Sequence, residues 1–130
     1  MYVLDTNTVI YFFKGIGGVA EHLLWVPPRE VGVPSVVVYE LAFGVQRSSA
    51  SSKRVRQLGD FLREVRILPF GADEAWHASA LRFELERKGS PIGPYDVLIA
   101  ATALAHNHIL VTHNLKEFSR VPGLRVEDWF

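Results

Sequence analysis

The chain has 130 residues, 48% of them hydrophobic, and its 14 Lys plus Arg balance 14 Asp plus Glu. That length suits one domain spanning 1–130, the apolar fraction excludes intrinsic disorder, and no run approaches the ~18 apolar residues of a membrane span. Zero net charge gives no global sign of a polyanion partner, and the absence of cysteine excludes disulfides, thiol nucleophiles and thiolate metal sites.

Tyr2 to Asp5 reads as a short strand and TVIYFF as a first helix with a buried face, broken by Gly15, Gly17 and Gly18. A short helix around Val19–Leu24 ends before Pro27 and Pro28, a second strand covers Val31–Pro34, and Ser35 is placed as the N-cap of a helix to about Arg47. The serine-rich SSASS makes a turn and caps a basic helix in which Val55, Leu58, Leu62 and Val65 recur at helical spacing. Arg66–Pro69 forms a third strand. Asp73 is placed as the cap of a helix carrying Trp76, Ala80, Phe83 and Leu85, which Gly89 stops. After the loop GSPIGP come a strongly apolar helix, Tyr95–His106, a strand at Ile109–Thr112, a helical turn at Leu115–Phe118 and a final strand near Leu124–Val126.

This alternation predicts an α/β/α sandwich around a central, mainly parallel sheet with right-handed crossovers. Open α/β sheets bind ligands beyond the carboxyl ends of their strands. Asp5 and Thr112 fall at such ends, and Glu40 and Asp96 lie in helical turns that can face the same crevice.

Three carboxylates occupy segments that are otherwise apolar: Asp5 in YVLDTN, Glu40 in VVVYELAFG and Asp96 in GPYDVLIAATALA. An ionised carboxylate in such surroundings costs several kcal/mol unless it is paired, hydrogen-bonded or metal-bound. Two of the three also have plain structural readings, Asp5 as an Asx turn or helix cap and Asp96 as a complement to a helix dipole. Glu40 resists one, because Val36, Val37, Phe43 and Gly44 on its helical face are apolar or small. Taken together the acids point to a shared divalent cation. Mg²⁺ or Mn²⁺ reverses their mutual repulsion, retains waters of which one can be the nucleophile, and stabilises charge on a phosphate oxygen, which is the chemistry of nucleic-acid hydrolysis. The segment SSKRVRQLGDFLREVR, with Lys53, Arg54, Arg56, Arg63 and Arg66 following Arg47, is either a solvated helix face or a phosphate-contacting ridge.

The LDTN of Leu4–Asn7, the SVVVYEL segment with Glu40, GPYDVLIAATA with Asp96, and VTHNLKEF with Thr112, Asn114 and Glu117 resemble the ordered motifs of PIN-domain ribonucleases over nearly the whole chain. The small size and the tail VPGLRVEDW resemble VapC toxins of type II toxin–antitoxin pairs, and GPYD with NLKEFSRVPGLRVEDW is most similar to the branch that cleaves initiator tRNA. The resemblance implies a PIN-like fold and an endoribonuclease using Mg²⁺ or Mn²⁺. It implies an acidic core of Asp5, Glu40, Asp96 and Glu117, with Asp5 and Asp96 as direct metal ligands and Asn7, Thr112 and Asn114 as hydrogen-bonding partners around the site. Glu117 stands before Phe118 where the family often has Asp. The resemblance further implies an RNA substrate, a VapB-type antitoxin whose segment lies in a hydrophobic groove, and a homodimer.

Two other readings compete. A haloacid-dehalogenase-type phosphatase needs a second Asp two residues after the first, and this chain has Asn7 there. A non-catalytic PIN-like RNA-binding or protein-interaction module is the remaining alternative, although a silent copy has no reason to keep charges in apolar segments. His106 and His108 belong to no metal-binding pattern and are placed in a turn or at a strand edge. His113 is nearest the acids without any argument for a base. Trp25, Trp76 and Trp129 are expected to anchor the core or an interface. The aromatic-rich TVIYFFKGIGGVAEHLLW exceeds what one small core can bury, so part of it is expected to cover an interface. Met1–Leu4 shows no basic leader followed by a signal-type stretch, and the lack of cysteine suits a reducing compartment, so a cytoplasmic location is expected.

Overall fold

The computed structural model describes Met1–Phe130. Its elements in order are β1 (Tyr2–Leu4), α1 (Thr6–Lys14), α2 (Val19–Leu24), a 3₁₀ turn (Pro28–Glu30), β2 (Val31–Pro34), α3 (Ser35–Gln46), α4 (Ser51–Glu64), β3 (Arg66–Leu68), α5 (Ala72–Arg87), α6 (Pro94–Ala105), β4 (Ile109–Val111), α7 (Leu115–Phe118) and β5 (Arg125–Glu127). The five strands form one sheet in the order β3-β2-β1-β4-β5, flanked by helices. Every pairing is parallel, with Tyr2 opposite both Val31 and Ile109. A parallel sheet covered by helices is buried on both faces and reads as apolar runs. Accordingly Val3, Leu4, Val33, Leu110 and Val111 are all 0% exposed.

The order of the strands decides where a ligand can sit. The chain moves outward from β1 through β2 to β3, then returns across β1 to build β4 and β5 on the other side. The switch therefore falls between the neighbouring strands β1 and β4, and the crevice beyond their carboxyl ends is the expected binding place. Asp5 follows β1 and Thr112 follows β4 at that crevice.

Several local readings are corrected. Ser35 is the first residue of α3, whose cap position is Pro34, and the Ser35 hydroxyl instead donates to the Leu68 carbonyl at 3.0 Å, fastening α3 to the end of β3. α5 begins before Asp73, with Gly71 as its cap residue. The capping group is Glu74, whose carboxylate turns back to accept the Gly71 N–H at 2.6 Å and lies 2.8 Å from His106 Nε2. The Gly71 N–H, more than His106, holds this carboxyl below its ordinary value although Glu74 is only 5% exposed. The buried face of α5 carries Glu74, Ala78, Leu81 and Leu85, leaving Trp76 and Phe83 exposed. Of the three tryptophans only Trp129 enters the core, tilted against Tyr2 and stacked on His22.

Gly15 ends α1 in the left-handed conformation, as a C-terminal glycine does. Gly17 has a further reason to be glycine. A Cβ there would come within 2.8 Å of the Phe130 carbonyl oxygen, and the next residue, Gly18, donates its N–H to that same oxygen at 2.6 Å. No helix is long and apolar enough to cross a membrane.

Candidate active site

Asp5 is built into the fold on two sides. As the N-cap of α1 it accepts the Thr8 N–H on Oδ1 at 2.9 Å, while Oδ2 accepts the Thr112 hydroxyl at 2.6 Å. The Thr8 hydroxyl donates to the Val111 carbonyl and the Asp5 N–H to the same oxygen, so β1, α1 and β4 are stitched together around one carboxylate. Structural cap and site residue are thus one and the same here. Burial pushes the Asp5 carboxyl above its ordinary value, the Thr112 and Thr8 hydrogen bonds offset part of this, and the Asp128 charge adds to it.

Thr112 is 0% exposed, and its oxygen also accepts the Asn114 N–H at 3.0 Å. Thr112→Val removes both interactions and leaves the ionised form of Asp5 less well supported. We expect a loss of about 1–3 kcal/mol, read from urea unfolding near neutral pH. The deficit should grow as pH rises through the elevated Asp5 value, because the hydroxyl favours the charged carboxylate. A pH-independent loss would show that Thr112 acts by packing alone.

Asp96 sits in the first turn of α6, which opens at Pro94 with its φ already suited to a helix. Its carboxyl shares a hydrogen bond with Glu117 on α7 and is pushed up to about 7, first by burial, then by Glu117, with Asp5 and Glu40 adding repulsion. Glu117 shifts the opposite way. Burial raises it, but the Gly93 N–H, the Asn114 side chain and the Asp96 hydrogen bond outweigh that. Gly93 supports this contact, since a Cβ there would lie 3.2 Å from Asp96 Oδ2 and 3.5 Å from Glu117 Oε1. Glu40 on α3 is half-buried and accepts the Thr6 hydroxyl at 2.6 Å.

The structure thus groups Asp5, Glu40, Asp96 and Glu117 at the carboxyl edge of the sheet, with Thr112 and Asn114 as hydrogen-bonding supports. Asn7 is exposed and hydrogen-bonds none of the carboxylates, while its neighbours Thr6 and Thr8 bond Glu40 and Asp5. Only Asp5 is deeply buried, so the picture of three core carboxylates is corrected to one buried and two half-buried groups. Thr6, Thr8, Gly93 and Asp128 escaped sequence reasoning. Asp128, after β5, lies 2.9 Å from His113 Nδ1, and His113 stacks on Phe130 with ring centroids 4.1 Å apart. Thr6 and Thr8 flank Asn7 in the first motif, and a hydroxyl beside a buried acid was the available signal.

No three Asp, Glu or His side chains are drawn together closely enough to form a ready cage for a metal ion. The donor chemistry nevertheless fits a hard cation. Asp5, Glu40, Asp96 and Glu117 offer hard oxygen donors only, and the repulsion that raises Asp96 is what a divalent cation would relieve.

The PIN domain profile matches residues 2–124. The chain is 34% identical over 128 residues to the tRNA(fMet)-specific endonuclease VapC of Salmonella typhimurium, covering 98% of this chain and 97% of that protein. It is 38% identical over 137 residues to ribonuclease VapC2 of Rickettsia felis, covering 99% and 98%. A crystal structure of VapBC2 from Rickettsia felis bound to a promoter DNA fragment contains a chain that superposes with a TM-score of 0.93 at 37% identity, covering 99% of this chain and 98% of that one. DNA-bound VapBC from Salmonella typhimurium gives 0.94 at 35% identity, covering 99% and 98%. With this agreement in sequence and in a five-stranded parallel sheet, the chain belongs to the VapC family of PIN-domain proteins.

Proposed function

We propose that the protein is the toxin of a type II toxin–antitoxin pair and acts as a Mg²⁺- or Mn²⁺-dependent endoribonuclease, with initiator tRNA as its substrate and the cytoplasm as its place of action. One observation carries the reading: beyond the switch between β1 and β4, Thr112 and Thr8 hold Asp5, Thr6 holds Glu40 and Gly93 holds Glu117, and the crowding of these carboxylates raises Asp96. Such crowding lowers stability unless a bound ligand relieves it, and perturbed groups of this kind concentrate at functional sites. Asp5 and Asp96 would hold the cation, which when bound would activate water and neutralise charge on the scissile phosphate. Thr112 and Thr8 fix the Asp5 carboxylate, Thr6 orients Glu40, and the Gly93 N–H and Asn114 side chain hold Glu117 beside Asp96.

Calorimetric titration of the purified protein with Mn²⁺ or Mg²⁺ tests the cation. Binding is expected in the wild type and a more than ~100-fold weaker one in Asp5→Asn and in Asp96→Asn. Unchanged affinity in both variants would remove these two residues as ligands. RNA ends mapped after induced expression test the substrate, with cuts confined to initiator tRNA expected.

The VapB-type antitoxin has a natural seat in a 570 Å³ groove lined by Phe12, Phe13, Leu23, Val26, Phe61 and Val65. Leu24 and Trp25, which stand in the chain between its lining residues Leu23 and Val26, are 84% and 87% exposed, far more than core residues of their kinds. An amphipathic partner segment covering them follows the helix-in-groove mode. Lys53, Arg54 and Arg56 stand exposed on α4, whereas Arg63 pairs with Asp60, so the basic ridge for RNA phosphates reduces to the first half of that helix. A non-catalytic module would gain nothing from the repulsion at Asp96.

A further inference from the structure

Two tyrosines stand directly before two of the acids, Tyr39 before Glu40 and Tyr95 before Asp96. The structure brings them together across α3 and α6, with ring centroids 5.7 Å apart, edge to face, and their hydroxyls 3.3 Å from each other. Neither belongs to the core. Tyr39 is 56% and Tyr95 43% exposed, and each hydroxyl has only the other as a hydrogen-bond partner. A buried tyrosine normally anchors its hydroxyl on the surrounding protein, so this pair contributes little to folding and leaves ring faces open beside the carboxylates.

The aromatic surface continues away from the acids along α3. Phe43, one turn past Tyr39, is 54% exposed, and one turn further the Arg47 guanidinium lies 4.8 Å from the Phe43 ring centroid. Exposed tyrosine rings followed by a guanidinium lying over Phe43 match what a single nucleic-acid strand needs: bases stack on the tyrosines and a phosphate meets the arginine. The stripe begins beside the acids that the ribonuclease reading sets against the phosphodiester, so the RNA strand itself is the occupant it favours. We propose that Tyr39 and Tyr95, continued by Phe43 and Arg47, form a stacking platform for unpaired bases of the RNA next to the phosphodiester cut at the acidic site. This rests on the ribonuclease reading above and narrows its substrate to RNA that is single-stranded at the cut.

The test measures equilibrium binding of a fluorescently labelled single-stranded RNA octamer and of an abasic octamer of the same length. Full-length protein carrying Asp96→Asn is the background, so that no cleavage intervenes. Adding Tyr39→Ala with Tyr95→Ala should weaken the base-containing octamer about tenfold or more, while Tyr39→Phe with Tyr95→Phe stays within about twofold because the ring faces remain. The abasic octamer should bind all three proteins alike. Equal affinity of the alanine variant and its background for the base-containing octamer would overturn the platform, as would equal losses for both octamers. A switch of the alanine variant to a smaller oligomer in sedimentation, without selective loss of the base-containing RNA, would reassign the face to contact between copies and also overturn it. The failures are separable: wild-type protein that cuts no RNA defeats the ribonuclease reading, whereas a wild type that cuts beside an unaffected alanine variant defeats the platform alone.

Discussion

Asp96→Asn is expected to abolish RNA cleavage and, in the same protein, to make the metal-free fold more stable. The Asp96 carboxyl has a folded value of about 7 against an ordinary 3.8, raised first by burial and then by Glu117, Asp5 and Glu40. Between those values the folded state holds more protons than the unfolded state, so stability falls as pH rises through that window and the penalty is complete above about 7. Each pH unit of separation corresponds to about 1.4 kcal/mol, and water reaching the half-buried carboxyl screens part of it. We therefore expect a gain of about 1–3 kcal/mol for the asparagine variant at alkaline pH in chelator, shrinking toward acid pH. Urea unfolding across the pH range measures it. Destabilisation by more than ~2 kcal/mol under the same conditions would mean that Asp96 supports the fold. The activity loss should exceed ~100-fold if Asp96 is the cation ligand proposed above, because the asparagine amide replaces one of its carboxylate oxygens.

The second large effect concerns the partner. Leu24→Asp combined with Trp25→Asp should release inhibition by the product of an adjacent gene, with the affinity falling by ~30-fold or more, the scale of a lost aromatic hot spot. Folding should be nearly unaffected, since both side chains are more than four-fifths exposed. Surface plasmon resonance with the adjacent gene product reads the affinity, and thermal unfolding of the isolated variant checks the fold. Unchanged affinity would move the antitoxin seat elsewhere on the molecule. The wild-type protein should sediment as a homodimer at micromolar concentration.

The layout of strands and helices was legible because each apolar run was short, bounded by Gly, Pro or Ser, and too regular to mistake. α2 and α7 fall where the periodicity placed them, and a mainly parallel sheet turned out to be wholly parallel. Caps were less legible. Ser35 and Asp73 have cap chemistry, but tertiary bonds to Leu68 and the reach-back of Glu74 took precedence. At the site, Asp5, Glu40, Asp96 and Thr112 were legible as polar residues in apolar or strand-end settings, whereas Asn114 and Glu117 were visible only through the family motif. The hydroxyls of Thr6 and Thr8 beside Asn7 were not legible, because neighbouring positions at a helix start differ in direction by about 100° and sequence alone does not show which one points inward. Gly93 was invisible for a different reason. Its role is to leave room, and only coordinates show what an absent side chain would strike.

The bond between Thr112 and Asp5 joins residues 107 positions apart, and β1 gains its second neighbour only when β4 is in place. A chain leaving the ribosome therefore carries Asp5, Glu40 and Asp96 long before it can assemble them. Until Thr112 and Glu117 emerge, the first carboxylate lacks its hydroxyl and the third lacks its proton-sharing partner. Distant pairings of this kind also make folding slow relative to local contacts. For the toxin proposed above, this topology amounts to a delay: the first carboxylate waits more than a hundred residues for the hydroxyl that completes its setting.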